Sequence, residues 1–195
     1  IWWGLCQLCP VQYRSTFTKP VNLSTQPVEI LSAERIAERV TNLANQINQF
    51  YQGREILLVS ILDGAIIFTA DLLRQLCIPT QLDCMRISSY GSSTSPESAP
   101  QINGSLKSDL RGKHVLLVDD ILDTGNTLQR ACEEIKSHHP DSIKTCVFLD
   151  KAERRTNHFQ ADWVGFSIPN EFVVGYGLDF DGHYRELPYL GKLPS

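Results

Sequence analysis

The segment Val115-Leu116-Leu117-Val118-Asp119-Asp120-Ile121-Leu122-Asp123-Thr124-Gly125-Asn126-Thr127-Leu128 constrains the fold more than any other. An all-apolar run reads as a buried strand. Two carboxylates close it, and a turn of small residues then opens a helix. In open parallel sheets, ligands sit beyond the carboxyl ends of the strands, and the free N–H groups and positive dipole end of the following helix suit a phosphate. Thr124, Gly125, Asn126 and Thr127 are therefore expected to wrap a monophosphate, with Gly125 permitting close approach and the threonine hydroxyls adding donors. Asp119 and Asp120 would repel that phosphate, so their expected partners are sugar hydroxyls or hydrated Mg²⁺. The plainer alternative makes Asp123 or Thr124 a helix cap and the acidic pair a solvated loop. It suffices for each residue alone, but the whole string favours a ligand site.

The rest of the chain supplies a matching frame. Ser32 is positioned to cap a helix whose apolar positions Ile36, Val40, Leu43, Ile47 and Phe50 recur at spacings of four and three, ending near Gly53. Residues 55–61 read as a strand, 66–76 as a helix, and 81–89 as a second strand. Residues 114–119 read as a strand, 124–137 as a helix, and 143–150 and 163–168 as two further strands. This alternation predicts an α/β fold with a mostly parallel twisted sheet flanked by helices. Residues 91–104, rich in Ser with Pro96 and Pro100, predict a long surface loop that is either a functional lid or a disordered connector. Residues 169–195 predict an irregular or short-stranded cap on one edge. Residues 1–28 predict an extension outside the core, leaving 29–195 as a single domain.

Composition narrows the partners. The 195 residues carry 42% apolar and 21% charged side chains and a net charge of −4, which argues against a disordered chain and against nucleic acid as the main partner. A phosphorylated ligand would have to be held locally, against a mildly repulsive global field. The six cysteines, Cys6, Cys9, Cys77, Cys84, Cys132 and Cys146, are scattered and mostly within apolar runs, which predicts free thiols in a reducing compartment, the cytoplasm. The Cys6–Cys9 pair has no second pair or nearby histidine to complete a zinc set. No apolar stretch approaches the ~20 residues needed to cross a bilayer, and the apolar opening Ile1–Cys6 lacks the features of a signal peptide. The expected chain is soluble, without a membrane partner.

The central string resembles the 5-phosphoribosyl-1-pyrophosphate binding motif of type I phosphoribosyltransferases. Two further stretches narrow the likeness to the hypoxanthine-guanine branch. Phe166-Ser167-Ile168-Pro169-Asn170-Glu171-Phe172-Val173-Val174-Gly175-Tyr176-Gly177-Leu178-Asp179, followed by Tyr184-Arg185, resembles its hood, formed mainly by residues 169–195. Leu149-Asp150-Lys151 resembles its purine-reading lysine segment. The likeness runs in consistent order from about Glu29 to Lys192.

That resemblance implies an Mg²⁺-dependent enzyme of purine salvage, which transfers the 5-phosphoribosyl group to N9 of a 6-oxopurine base. It implies Asp123 as the acid or base at purine N7, and Lys151 as the donor to O6. Phe172 would stack on the base while the Val173 backbone reads its edge. Ile121 lies inside the implied ribose-phosphate motif. Asp179 is implied to hold a second Mg²⁺ on pyrophosphate, and Arg185 to pair with that pyrophosphate; a surface Asp179–Arg185 ion pair is the alternative. Ser89 and Tyr90 open the implied lid. Leu62-Asp63-Gly64 matches the short pyrophosphate loop, except that Asp63 stands where a cation is common, and Asp119 replaces a common Glu. A homodimer or homotetramer is the implied assembly. The competing readings are a non-catalytic nucleotide-sensing regulator on the same fold, and transfer to another base such as xanthine.

Overall fold

The computed structural model describes residues 26–88 and 100–194. Residues 1–25, the Cys6–Cys9 pair, Ser89, Tyr90 and most of the Ser-rich loop lie outside the described residues. Strand β1 (Val28–Leu31) leads into helix α1 (Ala33–Phe50), whose Ser32 cap accepts a hydrogen bond from the Arg35 N–H at 3.4 Å. Ile36, Val40, Leu43, Ala44 and Ile47 are buried as their spacing predicts. Full burial of an Ile or Leu side chain contributes roughly 1.5–3 kcal/mol, so this face rather than helix propensity anchors α1. Phe50, the last residue of the expected stripe, is instead 43% exposed and packs edge-on against Trp163 at 5.4 Å.

Strand β2 (Ile56–Leu62) is followed by α2 (Ile66–Leu73), then β3 (Thr80–Ser88) and the short β4 (Gln101–Asn103). Helix α2 ends earlier than expected because the chain tightens after Leu73, with Gln75 and Leu76 donating to Leu72 and Leu73 three residues back. β4 lies within the segment expected to be loop; it pairs antiparallel with β3, Ile102 opposite Ile87. The chain continues through β5 (His114–Leu122), α3 (Asn126–Ser137), β6 (Ser142–Asp150), a 3₁₀ turn (Ala152–Arg154), β7 (Trp163–Ser167), β8 (Val173–Val174) and β9 (Leu190–Lys192).

The central sheet has the order β4-β3-β2-β5-β6-β7, parallel from β3 through β7 with β4 antiparallel on the edge. This is the mostly parallel, helix-flanked sheet that the sequence predicts. Alternate residues of the central strands serve two cores. Ile56, Leu58, Leu116, Val118 and Phe148 pack with α1 and α2, whereas Leu57, Val59, Val115, Leu117 and Val147 pack with Leu128, Ala131 and Ile135 of α3. A second sheet, β1-β9-β8, is antiparallel and forms the hood; Val28, counted with the extension in the sequence, lies opposite Lys192 there. Among the described residues no helix is long and apolar enough to cross a membrane.

The topology also creates a crevice. The chain moves outward from β2 to β3, then returns to place β5 on the other side of β2, so the strand order reverses between β2 and β5. The β2–β5 pairing stops at Ser60 opposite Val118, while β5 stays paired with β6 as far as Leu122 opposite Asp150. Residues 119–122 therefore extend past the end of the β2 ladder, next to the loop that follows β2.

Candidate active site

The loop after β2 and the end of β5 meet at Gly64. A Cβ built there would lie 1.7 Å from Asp120 Oδ2, so the Asp120 carboxylate occupies the space a side chain would need. The hood reaches the same point, since a Cβ on Gly177 would lie 2.3 Å from the Gly64 carbonyl oxygen. Arg185 Nη1 donates to the Gly177 carbonyl at 2.6 Å and its Nη2 lies 2.7 Å from Asp179 Oδ1, while Asp179 Oδ2 accepts from the Gly182 N–H at 2.9 Å. Leu62, Asp63, Gly64, Asp120, Asp179 and Arg185, separated by up to 123 residues in sequence, are thus gathered at one mouth of the crevice. The Leu62–Asp63 peptide is cis.

Asp119, expected beside a ligand, lies buried at the end of β5. It is only 4% exposed, and its carboxylate accepts the Asp120 main-chain N–H at 3.0 Å. Burial, and next the Asp120 charge, push the Asp119 carboxyl well above the usual carboxylate range. Asp120, whose Oδ1 accepts the Ile121 N–H at 2.8 Å, is the member of the pair that faces the crevice. Ile121 is half-buried against the α1 and α2 core.

At the other mouth, Gly125 caps α3 with φ +89°, a left-handed conformation that glycine adopts without steric cost. Neither Asp123 nor Thr124 is the cap residue, which leaves the Asp123 side chain available for chemistry. The turn is supported from the segment after β6. Thr156 donates its N–H to the Thr124 carbonyl at 3.1 Å, and Asn157 Nδ2 donates to Asn126 Oδ1 at 3.3 Å and Gln129 Oε1 at 3.0 Å. Thr124 Oγ1 receives the Asn126 N–H at 3.4 Å, and Thr127 lies half-buried in the first turn of α3. Arg155 donates to the carbonyls of Asp123 at 3.0 Å, Leu122 at 3.3 Å and Phe159, and pairs with Asp150. One guanidinium thereby ties the entry to the β5–α3 turn to the strand end that precedes Lys151.

Asp123 faces this cluster. Its Oδ1 is shielded from solvent and accepts no aligned hydrogen bond, although Arg154 Nε stands 3.0 Å away as a charge contact. Lys151 is 7% exposed, and its Nζ donates to the Glu171 carbonyl at 2.8 Å, directly before Phe172 in the hood. Burial lowers the Lys151 pKa, while the charges of Asp123 and then Asp120 pull it back up. Phe172 is 56% exposed, and its ring forms a T-shaped pair with that of Phe180, centroids 5.6 Å apart. Val173 is buried in β8.

Arg154, Arg155, Asn157 and Arg86 escaped the sequence reading. The cationic run Lys151-Ala152-Glu153-Arg154-Arg155 after a strand end was the signal for the first two. The partners of the other two come from distant segments.

Buried Lys151, the glycine-capped turn before α3 and the crevice at the point of strand reversal lie together at the carboxyl ends of the strands, where ligands bind in open α/β sheets. The profile of the phosphoribosyl transferase domain matches residues 28–181, and the chain belongs to that family. It is 42% identical over 170 residues to hypoxanthine-guanine phosphoribosyltransferase of Mycobacterium avium, covering 84% of each chain. It is 43% identical over 169 residues to hypoxanthine phosphoribosyltransferase of Escherichia coli K12, covering 85% of this chain and 95% of that one. The crystal structure of a hypoxanthine-guanine phosphoribosyltransferase from Bacillus anthracis superposes with a TM-score of 0.80 at 35% identity, covering 87% of this chain and 99% of that chain.

Proposed function

We propose that this chain transfers the 5-phosphoribosyl group of 5-phosphoribosyl-1-pyrophosphate to N9 of hypoxanthine or guanine, releasing pyrophosphate and forming IMP or GMP in purine salvage. The observation that carries this reading is Asp123 Oδ1, desolvated and without an aligned donor, immediately before the phosphate turn. An acceptor oxygen placed there has no other aligned donor to compete with the N–H of a bound base. As Asp123 removes the proton from purine N7, the N9 electron pair attacks ribose C1, the bond from C1 to the pyrophosphate oxygen breaks, and the bond electrons leave with pyrophosphate.

The remaining roles follow from where each group lies. Main-chain N–H groups of residues 124–127 hold the 5-phosphate, and Ile121 lines the floor of the ribose site. Lys151 donates to O6, which favours oxopurines over adenine, because adenine carries a donor at that position. Phe172 stacks on the ring and the Val173 main chain reads its edge. The Leu62–Gly64 main chain and Arg185 receive pyrophosphate. Ser89 and Tyr90 open a lid that keeps water from the ribosyl centre.

Mg²⁺ fits the donor set. Among the described residues no three acidic, histidine or cysteine side chains form an all-protein cage. Asp120 and Asp179 supply single hard oxygens that would share the ion with the sugar hydroxyls and with pyrophosphate, as this cation prefers. When bound, it would offset the charge that grows on the leaving pyrophosphate. Asp119, behind Asp120, orients that residue rather than reaching the ligand.

Residues 29–195 would act as one domain, with 1–28 as an extension, in a cytoplasmic homodimer or homotetramer. The regulator alternative gains no support from the named relatives, which are phosphoribosyltransferases. The test is an absorbance assay of hypoxanthine, guanine and xanthine with phosphoribosyl pyrophosphate, with and without Mg²⁺. Turnover of the first two only with Mg²⁺ is expected; no turnover of any oxopurine would overturn the reading.

A further inference from the structure

The pyrophosphate side of the crevice has an electrostatic problem. Three carboxylates, Asp63, Asp120 and Asp179, surround the loop that must receive a highly charged anion, and the loop residues 62–64 contribute no cation. Arg185 is there, but it is already shared between Asp179 and the Gly177 carbonyl. A further cation stands on the neighbouring strand. Arg86 stands opposite Leu62 in the parallel β2–β3 ladder, and its Nη2 donates to Asp63 Oδ1 at 2.8 Å.

We propose that Arg86 binds the pyrophosphate moiety of the substrate and product, with Asp63 as its partner in the free protein. This deepens the phosphoribosyl-transfer reading and rests on it. Both side chains are more than half exposed, at 61% for Arg86 and 56% for Asp63. An exposed ion pair of this kind contributes little, so exchanging partners costs little. A guanidinium gains a stronger contact with phosphate oxygens, which it can meet with two parallel N–H bonds. Asp63 therefore holds Arg86 at the loop mouth until the anion arrives. The pair also explains how an acidic residue is tolerated at the tip of an anion-binding loop: its charge is cancelled in the free protein, and its partner carries the compensating charge to the ligand.

Steady-state kinetics with product inhibition tests this. In Arg86→Ala, KM for phosphoribosyl pyrophosphate and the inhibition constant of pyrophosphate should each rise about tenfold, while KM for the purine and kcat stay within about twofold. Adding Asp63→Lys to that variant puts a cation back on the loop itself and should recover most of the loss. A purely structural Arg86 would shift purine and phosphoribosyl constants together and would not be rescued by Asp63→Lys; either result overturns the proposal, as does wild-type behaviour of Arg86→Ala. Should Arg86→Ala not fold, Arg86→Gln provides the same comparison with the side-chain volume kept. A wild-type protein with no turnover would instead remove the phosphoribosyl-transfer reading itself.

Discussion

Substituting Gly64 by alanine probes whether the two strand ends form one site. The new Cβ would lie 1.7 Å from Asp120 Oδ2 and 2.7 Å from Asp120 Cγ. Real Cβ atoms essentially never come within 3.0 Å of a heavy atom, so the carboxylate must retreat by about 1.3 Å, a displacement of the size that costs on the order of 100-fold in rate when it misplaces a reacting or binding group. The obstacle is the end of a side chain rather than main chain, so the fold can absorb the change by rotating Asp120. Unfolding should therefore be little affected, while kcat/KM for phosphoribosyl pyrophosphate falls roughly 100-fold, equivalent to about 2.7 kcal/mol. Calorimetric titration with phosphoribosyl pyrophosphate and Mg²⁺ should show the same loss of affinity, alongside an unchanged melting curve. Affinity within twofold of wild type in a folded Gly64→Ala protein would mean that Asp120 is not a ligand-facing group, and the crevice between β2 and β5 would lose its assigned role.

Replacing Asp123 by asparagine removes the proton acceptor but keeps the shape. Turnover should drop about 100-fold or more with phosphoribosyl pyrophosphate binding retained, and unchanged single-turnover rates would reassign the base. Lys151→Ala should lose the preference for oxopurines over adenine; unaltered selectivity across purines would exclude Lys151 as the O6 reader. Asp83 tests the fold away from the chemistry. Its carboxylate accepts main-chain N–H bonds from Cys84, Lys107 and Ser108, each at 2.8 Å, and although burial pushes its pKa up, these donors more than reverse that and leave it below the usual range. A depressed folded pKa stabilises above the unfolded value and is lost as pH falls through the folded one. Asp83→Ala should therefore cost about 3 kcal/mol in urea denaturation at pH 7, and the difference from wild type should shrink on acidification below about pH 4. An equal difference at both pH values would refute the network.

The strand–turn–helix order of the β5–α3 segment was legible because it is local: strand, acidic pair, turn and helix start are adjacent in the chain, and their order fixes which end of the sheet they occupy. The helix start was misread by two residues. Thr124 could have capped α3, but the chain turns left-handed at Gly125 instead, and the Thr124 carbonyl is taken up by Thr156. What depends on pairing across the chain was not legible. The Asp120–Gly64 approach follows from the β2–β5 register, and the hood depends on β1 meeting β9, with Val28 opposite Lys192. The cationic run flags Arg155 but not its partners, most of which are main-chain carbonyls that carry no sequence signature.

The acidic pair shows why such distant pairing matters for binding an anion. Two fully ionised carboxylates at the end of β5 would oppose a substrate that carries a 5-phosphate and a pyrophosphate. The ladder with β6 runs on past Asp119, opposite Val147, and the Asp119 side chain is buried, which together with the Asp120 charge pushes its pKa up. Only Asp120 is left facing the crevice, where a single hard oxygen donor suits sugar hydroxyls and a hydrated divalent cation. The register of the sheet thus leaves one carboxylate of the dipeptide buried and turns the other toward the loop after β2.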